Sequence, residues 1–249
     1  MKNEKILEYW NSRASNKILK CTNDLNLEKN EIDIFLSIIK KNKTVLDIGC
    51  GDGELLRKLK IKKNCNCYGI DFSKNLINIA KKKSRGINYY CIDMKKIGKI
   101  FNTKVKFDYI ITKRSIQNLT SWNDQKKFLN QINLFSCPKT KIFLMESSNN
   151  ALKNINKIRA KLKLKKIIKP WHNLYLDDNK LIKTKFKKIK LMSIKELFST
   201  YYFSSRVLNA AINSKPNYND LLNLTAWKLP QNLIEGFSQL KLYEFKIKN

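Results

Sequence analysis

The chain has 249 residues, of which 43% are hydrophobic and 29% are charged, a composition that excludes an intrinsically disordered chain and fits one sizeable α/β unit. No apolar run approaches the roughly 20 residues that cross a bilayer, and residues 1–5 lack the apolar core of a signal peptide. We therefore expect a cytoplasmic protein without a membrane span. The formal net charge of +31 favours anionic partners.

Helical and β-rich segments alternate through the first 146 residues. Two helices are predicted first, at 4–20 and 27–41. β-rich runs follow at 44–48, 66–70, 88–92, 107–112 and 140–145, with helices at 53–60, 74–84 and 122–135. This alternation predicts right-handed βαβ units and a parallel sheet, hence a doubly wound α/β fold.

The pattern changes after the fifth predicted strand. We expect a very basic helix at 149–166, a strand near 185–193, a mostly helical stretch at 195–239 and a closing strand at 240–247. The long insertion before the closing strand, together with 149–182, is interpreted as a cap over the substrate site. The predicted organisation is a helical lead-in (1–42), an α/β core (43–148), and the cap with the last two strands (149–249).

A glycine-rich turn follows the first predicted strand. The sequence Val-Leu-Asp-Ile-Gly-Cys-Gly-Asp-Gly spans residues 45–53, and its glycines permit a tight turn and a close approach of a ligand to the backbone. It lacks the G-x-G-x-x-G pattern of dinucleotide-binding loops, and no G-K-[ST] follows as in a P-loop.

This segment resembles the first motif of class I S-adenosylmethionine-dependent methyltransferases, and the resemblance continues through about residue 146. It implies a seven-stranded Rossmann-like fold with S-adenosylmethionine as the cofactor. It also implies contacts with the methionine part, with the ribose and with the adenine, in that order, from Asp47, Gly49 and Gly51, from Asp71 and Phe72, and from Asp93 and Met94. Asp71 and Asp93 each end a predicted strand, so helix capping remains the alternative for both.

Two further segments share this resemblance. Residues Lys113 to Gln117 follow the fourth strand and would face the methyl group, since ligands of open α/β sheets bind at strand carboxyl ends. Tyr9 and Arg13 resemble a lead-in helix that closes over the methionine carboxylate, and Thr22 lies in the similar lead-in segment. Ordinary helix packing is the alternative for Tyr9 and Arg13.

Candidate catalytic residues lie in the second half of the chain. His172 is the only histidine and hence the only side chain with an ordinary pKa near 7, which makes it the candidate general base, with a surface or packing role as its alternative. Glu146 is the second candidate, with capping of the next helix as its alternative. The candidate substrate-binding residues are Arg114, Tyr175, Tyr201, Tyr202 and Arg206, and helix packing is the alternative for the last three. An already anionic acceptor would need cationic side chains and no base.

The acceptor is less well defined by the sequence. The 51 basic residues include only 6 arginines, and lysine excess with abundant asparagine and isoleucine is typical of A/T-rich codons, whereas nucleic-acid surfaces usually depend on arginine. The chain also lacks the N/D-P-P-Y/F signature and the proline–cysteine nucleophile of base-modifying methyltransferases. We therefore disfavour nucleic acid.

The second half resembles methyltransferases of bacterial surface-polysaccharide assembly, including those assigned to O-methyl phosphoramidate decoration of capsules. It implies a small anionic acceptor, phosphorylated or nucleotide-activated. An RNA methyltransferase and a non-catalytic cofactor-binding subunit remain the alternatives. The six cysteines lack metal-ligand spacing, so we expect reduced thiols and no metal. The sequence does not indicate an oligomeric state.

Overall fold

The computed structural model describes residues 2–16, 19, 22–100 and 105–248. In this part of the chain the strands form one seven-stranded sheet of order β3-β2-β1-β4-β5-β7-β6. The strands are β1 (Thr44–Ile48), β2 (Asn66–Asp71), β3 (Asn88–Cys91), β4 (Phe107–Lys113), β5 (Ser136–Ser147), β6 (Ile189–Glu196) and β7 (Leu240–Ile247). Strands β1 to β5 pair in parallel, whereas β7 runs antiparallel to both β5 and β6. The predicted doubly wound, seven-stranded Rossmann-like fold is confirmed.

Helices flank the sheet and connect its strands. They are α1 (Lys2–Ser15), α2 (Leu25–Ile38), α3 (Glu54–Lys63), α4 (Lys74–Lys83), α5 (Ile97–Ile100), α6 (Trp122–Gln131), α7 (Asn149–Lys161), α8 (Asp178–Lys183), α9 (Ser199–Phe203), α10 (Asn209–Ile212) and α11 (Leu221–Ala226). A π-helical turn, Ser204–Leu208, joins α9 to α10. None of the helices in the described ranges is long and apolar enough to cross a bilayer.

Several predicted boundaries differ from the structure. Helix α1 ends at Ser15, and part of the predicted extension to residue 20 lies outside the described residues. Helix α7 ends at Lys161 because Lys163 adopts a positive φ of 54°, which an α-helix cannot contain. The stretch 195–239 is less helical than predicted, since turns separate its short helices.

Both faces of the sheet are buried, which explains the near-continuous apolar sequence of its strands. Successive side chains of β1 point to opposite faces. Leu46 and Ile48 pack in one core cluster with Phe128, whereas Val45 packs in the other with Phe35 of α2. Because β1 to β5 are parallel, their carboxyl ends meet at one edge of the sheet. This edge lies between the helices that cover the two faces.

The helices α9 to α11 form the predicted insertion between β6 and β7. Tyr201 of α9 is fully buried, stacks on Trp227 at 3.9 Å between ring centroids, and donates a hydrogen bond to Asp24. Asp24 in turn caps α2 by accepting from the amide of Leu27 at 3.0 Å. The insertion is thus fastened to α2, and Tyr201 belongs to the core. This corrects the expectation that Tyr201 contacts a substrate.

Candidate active site

The glycine-rich turn after β1 contains two glycines that packing requires and one that borders open space. Gly49, Gly51 and Gly53 all have positive φ, at 83°, 57° and 77°, a conformation that other residues adopt only at a cost. A Cβ atom on Gly49 would lie 2.2 Å from the Cβ of Ser115, and one on Gly53 would lie 2.2 Å from the Tyr89 hydroxyl oxygen. A Cβ on Gly51 would meet nothing within 4 Å. Packing thus requires Gly49 and Gly53, whereas Gly51 borders open space.

That open space belongs to a cleft at the carboxyl edge of the sheet. Eight of the residues predicted from the sequence line it: Gly49, Gly51, Asp71, Phe72, Asp93, Met94, Lys113 and Arg114. The turn after β1, the ends of β2 and β4, and the segment after β3 therefore come together as the sequence predicted.

Asp71 connects the turn after β1 to the end of β2. One carboxylate oxygen accepts from the amide of Gly51 at 2.9 Å, and the other accepts from the amide of Ser73 at 2.9 Å. The cap of α4 is Ser73, whose hydroxyl accepts from the amide of Leu76 at 3.2 Å, so the capping alternative for Asp71 is wrong. Burial raises the pKa of Asp71 to about 6.

Asp93 both caps a helical turn, which was its alternative role, and lies at the cleft, where its predicted function requires it. It caps a short 3-10 turn, Met94–Lys96, by accepting from the amide of Lys95 at 2.9 Å. It also lines the cleft beside Met94 and Ile92. Capping fixes the carboxylate at the cleft wall, so the two roles are compatible.

Asp47 lies within β1, two residues before Gly49, and is 2% exposed. One of its carboxylate oxygens, Oδ1, is buried without a hydrogen-bond partner among the described residues. Burial, together with the nearby carboxylates of Asp71 and Glu146, raises the pKa of Asp47 to about 7 against the lowering effect of Lys113. A buried carboxylate in this state would be stabilised by a cationic ligand.

Two acidic residues of α2 hold the cations that follow β4, and the sequence analysis did not select them. Glu31, fully buried, accepts from the Nε of Arg114 at 2.9 Å, and its other oxygen lies 3.5 Å from the Nζ of Lys113. Glu28 lies 3.8 Å from the same Nζ. The sequence feature that could have revealed them is a pair of acidic residues, three positions apart, on the apolar face of an amphipathic helix.

Glu146 anchors the loop that follows β4. Its Oε1 accepts from the Thr112 hydroxyl at 2.8 Å and from the amides of Ser115 and Ile116 at 3.0 Å. Its Oε2 accepts from the amide of Gln117 at 3.3 Å, and the side chain is fully buried. Ser148, not Glu146, caps α7. The capping alternative for Glu146 is therefore wrong, and the catalytic role stays a prediction for a carboxylate whose two oxygens already accept four hydrogen bonds.

Helix α1 closes one side of the cleft through residues that the sequence analysis did not single out. Ile6 and Trp10 line the cleft, and the indole Nε1 of Trp10 donates to the Oδ1 of Asn118 at 3.3 Å. On the opposite side of the cleft, the Ser73 hydroxyl donates to the Oδ1 of Asn11 at 2.6 Å. The lead-in helix thus bridges the elements that follow β2 and β4.

Tyr9, Arg13 and Thr22 lie behind this wall and outside the cleft lining. The Arg13 guanidinium lies over the rings of Tyr9 and Trp10, at 5.6 and 5.8 Å. The Thr22 hydroxyl accepts from the amide of Asp24 at 3.1 Å and so supports the start of α2. The packing alternative therefore describes Tyr9 and Arg13 in this structure, and direct cofactor contact by any of the three remains a prediction.

His172 packs against the outer face of α1. Its ring centroid lies 4.4 Å from that of Tyr9 and 5.9 Å from that of Trp10. Burial lowers the pKa of His172, and the charge of Arg13 lowers it further. Its Nδ1 is buried without a hydrogen-bond partner in the described part of the chain. His172 is therefore a neutral imidazole, separated from the cleft by the cleft-lining Trp10.

The candidate substrate residues form a row that starts at the cleft. Arg114 lines the cleft and lies next to the hydroxyl of Tyr202, whose pKa burial raises to about 12. The Arg206 guanidinium lies over the rings of Tyr202 and Tyr218, at 5.6 and 5.1 Å. Tyr175 is 8% exposed and accepts from the Nε2 of Gln239 at 3.2 Å.

Comparison with known proteins identifies the family. The family described as "Methyltransferase domain" matches residues 39–222. The chain belongs to this methyltransferase family. No curated protein matches it.

Solved structures share the fold of this methyltransferase. The N-methyltransferase NodS from Bradyrhizobium japonicum WM9, in complex with S-adenosyl-L-homocysteine, is 12% identical with a TM-score of 0.59 over 100% of both chains. A putative methyltransferase from Haloferax volcanii, in complex with the activator Trm112, is 11% identical with a TM-score of 0.56 over 96% of this chain and 98% of that one. The plantazolicin methyltransferase BpumL is 17% identical with a TM-score of 0.54, over 97% and 90%.

The residues at the cleft of this methyltransferase fit S-adenosylmethionine, the predicted cofactor, in agreement with the family. Gly51 leaves the backbone accessible, and Asp47 has a buried oxygen without a partner. Asp71 presents a buried carboxylate to the cleft. A ligand that carries sulfonium and ammonium charges together with a ribose diol matches this donor and acceptor set.

We expect the substitution Gly51→Ala to separate ligand binding from folding. The new methyl group meets no protein atom and adds only the strain of a positive φ, so the protein still folds, but the methyl group fills the space beside the turn. Calorimetry should show S-adenosylmethionine affinity reduced by about tenfold or more. Gly86→Ala is the matched control, because Gly86 also has a positive φ of 71° and the new Cβ would meet only the end of the Lys60 side chain. Equal affinities in the two variants would contradict this role of Gly51.

Asp47→Asn is expected to stabilise the protein and weaken cofactor binding. The raised pKa means that the native state binds a proton more tightly than the unfolded chain does, so ionised Asp47 destabilises the fold above pH 7. Urea unfolding should show a gain of up to about 4 kcal/mol near pH 8. The gain should shrink as the pH falls from about 7 toward the ordinary value of 3.8. A gain independent of pH would rule out ionised Asp47 as its source.

Proposed function

We propose that this protein transfers a methyl group from S-adenosylmethionine to a small anionic acceptor bound beside Arg114, Tyr202 and Arg206. The donor follows from the family and the cleft. The observation that carries the acceptor class is a pair of neighbouring arginines, Arg206 and Arg159, without an acidic partner in the described part of the chain.

The arginine pair is held rigidly. Arg159 of α7 donates from one guanidinium nitrogen to the carbonyl oxygen of Arg206 and from its Nε to the carbonyl oxygen of Lys165 at 2.8 Å. Burial lowers the pKa of Arg159, and the charge of Arg206 lowers it further. Two guanidinium groups this close repel each other, so a phosphate-type or carboxylate group bound between them would be stabilised.

Unpartnered polar atoms extend this acceptor region toward the cleft. The hydroxyl of Ser205 and the Oε1 of Gln117 are both buried without a hydrogen-bond partner among the described residues. Buried polar atoms of this kind are costly unless a ligand or water satisfies them. The backbone amide of Gln117 is itself held by Glu146, so a bound acceptor would lie between the π-helical turn and the loop after β4.

The bound cofactor supplies an electrophilic methyl group that departs from sulfur by in-line displacement. The residues of this chain align the acceptor and exclude water, which is the main catalytic requirement of such a transfer. Trp10 and Ile6 of α1 cover the cleft, and Glu146 fixes the loop beside the acceptor. An acceptor oxygen that is already anionic needs no base. For a hydroxyl acceptor, the neutral imidazole of His172 would receive the proton only where the acceptor reaches past Trp10, which separates His172 from the cleft.

A phosphorylated or nucleotide-activated precursor of a bacterial surface polysaccharide fits this chemistry. The sequence resemblance of the second half supports such an acceptor, including an intermediate of O-methyl phosphoramidate decoration. RNA is the second candidate, supported by the net charge of +31.

Mass spectrometry of a small-molecule extract, incubated with the protein and methyl-labelled S-adenosylmethionine, tests the acceptor class. We expect label in an anionic low-molecular-weight product, and total RNA incubated in parallel should remain unlabelled. Label in RNA alone would replace the proposal by an RNA methyltransferase. Binding of the cofactor without any labelled product would indicate a non-catalytic subunit.

Arg206→Gln should impair acceptor binding in the same assay. We expect KM for the labelled acceptor to rise by about tenfold or more, because a charge-assisted contact is lost, while cofactor affinity is unchanged. Arg85→Gln is the matched control, since it removes one exposed positive charge from the loop after α4. Equal KM values in the two variants would exclude Arg206 from the acceptor site.

His172→Phe should reduce turnover while retaining the aromatic contact with Tyr9. We expect kcat to fall by about a hundredfold if the acceptor is a hydroxyl, with cofactor affinity within a few-fold of wild type. Because the pKa of His172 is lowered, the wild-type rate should decline only below the ordinary histidine range, and the variant should lack that decline. A wild-type kcat in both His172→Phe and His172→Ala would reject the catalytic role.

A further inference from the structure

Residues 161–171 form an exposed strip of alternating lysine and apolar residues, here called the basic–apolar strip. Its sequence is Lys-Leu-Lys-Leu-Lys-Lys-Ile-Ile-Lys-Pro-Trp. We propose that this strip docks the protein on the surface of an anionic lipid bilayer. The inference does not depend on the identity of the acceptor.

The local charge of this region is one-sided. No acidic residue occurs between Glu146 and Asp177. Eight basic residues occupy the same stretch: Lys153, Lys157, Arg159, Lys161, Lys163, Lys165, Lys166 and Lys169. Four of the five lysines in the strip itself are exposed. Each lysine near an anionic bilayer surface strengthens binding by about fivefold.

Large apolar side chains project from the same strip. Ile168 is 83% exposed, Trp171 54% and Leu162 47%. Exposed aliphatic and indole groups interspersed with lysine are characteristic of segments that lie in the bilayer interface, where the apolar groups enter the headgroup region and the lysines remain at its surface.

The exposure of these side chains is fixed by the backbone. The amide of Ile167 donates to the Oδ1 of Asn156 at 2.8 Å, and the Nδ2 of Asn156 donates back to the carbonyl oxygen of Ile167 at 3.0 Å. Arg159 holds the carbonyl oxygen of Lys165. Two side chains of α7 thus hold the backbone of the strip in place. The side chain of Ile168, the residue directly after these contacts, is exposed to solvent.

Lipid fits this surface better than RNA or a second copy of the chain. Sequence-tolerant RNA surfaces use several aromatic platforms and arginine, whereas the strip contains one aromatic residue and no arginine. A second copy would bring another net charge of +31 against a basic surface.

Docking would place the bilayer next to the active site. Trp171 ends the strip, and its ring centroid lies 6.0 Å from that of Tyr9 in α1 and 5.4 Å from that of His172. The strip is therefore continuous with the helix that covers the cleft. The adjacent acceptor region would lie close to the headgroup layer.

Vesicle co-sedimentation with the full chain tests this proposal. The probes are vesicles of phosphatidylcholine alone and of equimolar phosphatidylcholine and phosphatidylglycerol. Because general electrostatic attraction is expected for so basic a protein, the informative variant keeps its charge: Ile168→Gln combined with Trp171→Gln. We expect this variant to bind anionic vesicles about tenfold more weakly than wild type.

Ile61→Gln is the matched control, since Ile61 is 82% exposed on α3 and its replacement also conserves charge. It should bind anionic vesicles as the wild type does. Brominated lipid should quench tryptophan fluorescence in the wild type, and this quenching should be lost in Trp171→Phe. Unaltered thermal unfolding of each variant confirms that the fold is intact.

Three outcomes would overturn the proposal. The first is equal vesicle binding by the double variant and Ile61→Gln, which would leave only general charge attraction. The second is RNA homopolymer binding that displaces vesicles and is itself weakened by the double variant. The third is sedimentation velocity showing self-association that the double variant abolishes.

Discussion

Buried carboxylates at the carboxyl edge of the sheet determine what the cleft can hold. Asp47, Asp71 and Glu146 are all nearly inaccessible, and burial raises the pKa of each. The two adjacent cations, Lys113 and Arg114, are already paired with Glu28 and Glu31. The edge therefore has more negative than positive groups, and a cationic ligand restores the balance. Methyl donation from a sulfonium is compatible with such an edge, because the charge that drives the reaction also favours binding.

The positions of these carboxylates depend on backbone contacts between strands that are distant in sequence. Asp71 receives the amide of Gly51, and Glu146 receives the amides of the loop after β4. Ser115 of that loop lies against Gly49, and its hydroxyl donates to the carbonyl oxygen of Ile48 at 2.7 Å. The first turn and the fourth loop thus form one unit that side chains larger than hydrogen at Gly49 would separate.

The sequence predicted those parts of the site that a local pattern specifies. The turn at 45–53, the end of β2 and the segment at Asp93 each combine an acidic residue with the end of a strand, and all three meet in the cleft. The sequence shows two acids on the apolar face of α2, but it could not predict that they pair with Lys113 and Arg114, or that Tyr201 stacks in the core, because these contacts join segments far apart in the chain. The hydrogen bonds of Glu146 could not be predicted either, since its donors are Thr112 of β4 and the loop that follows it.

The distribution of charge carries more functional information than its total. In this protein of net charge +31, Asp71 and Asp93 line the cleft, whereas the stretch between Glu146 and Asp177 contains no acidic residue. Compositional bias toward lysine would place positive charge evenly over the surface. It would not produce rigid features such as the Arg159–Arg206 pair or the clamped backbone beneath Ile168, because these depend on specific hydrogen bonds to α7. The basic residues held in place by such hydrogen bonds, rather than the total charge, are therefore the ones whose substitution tests the proposed acceptor site.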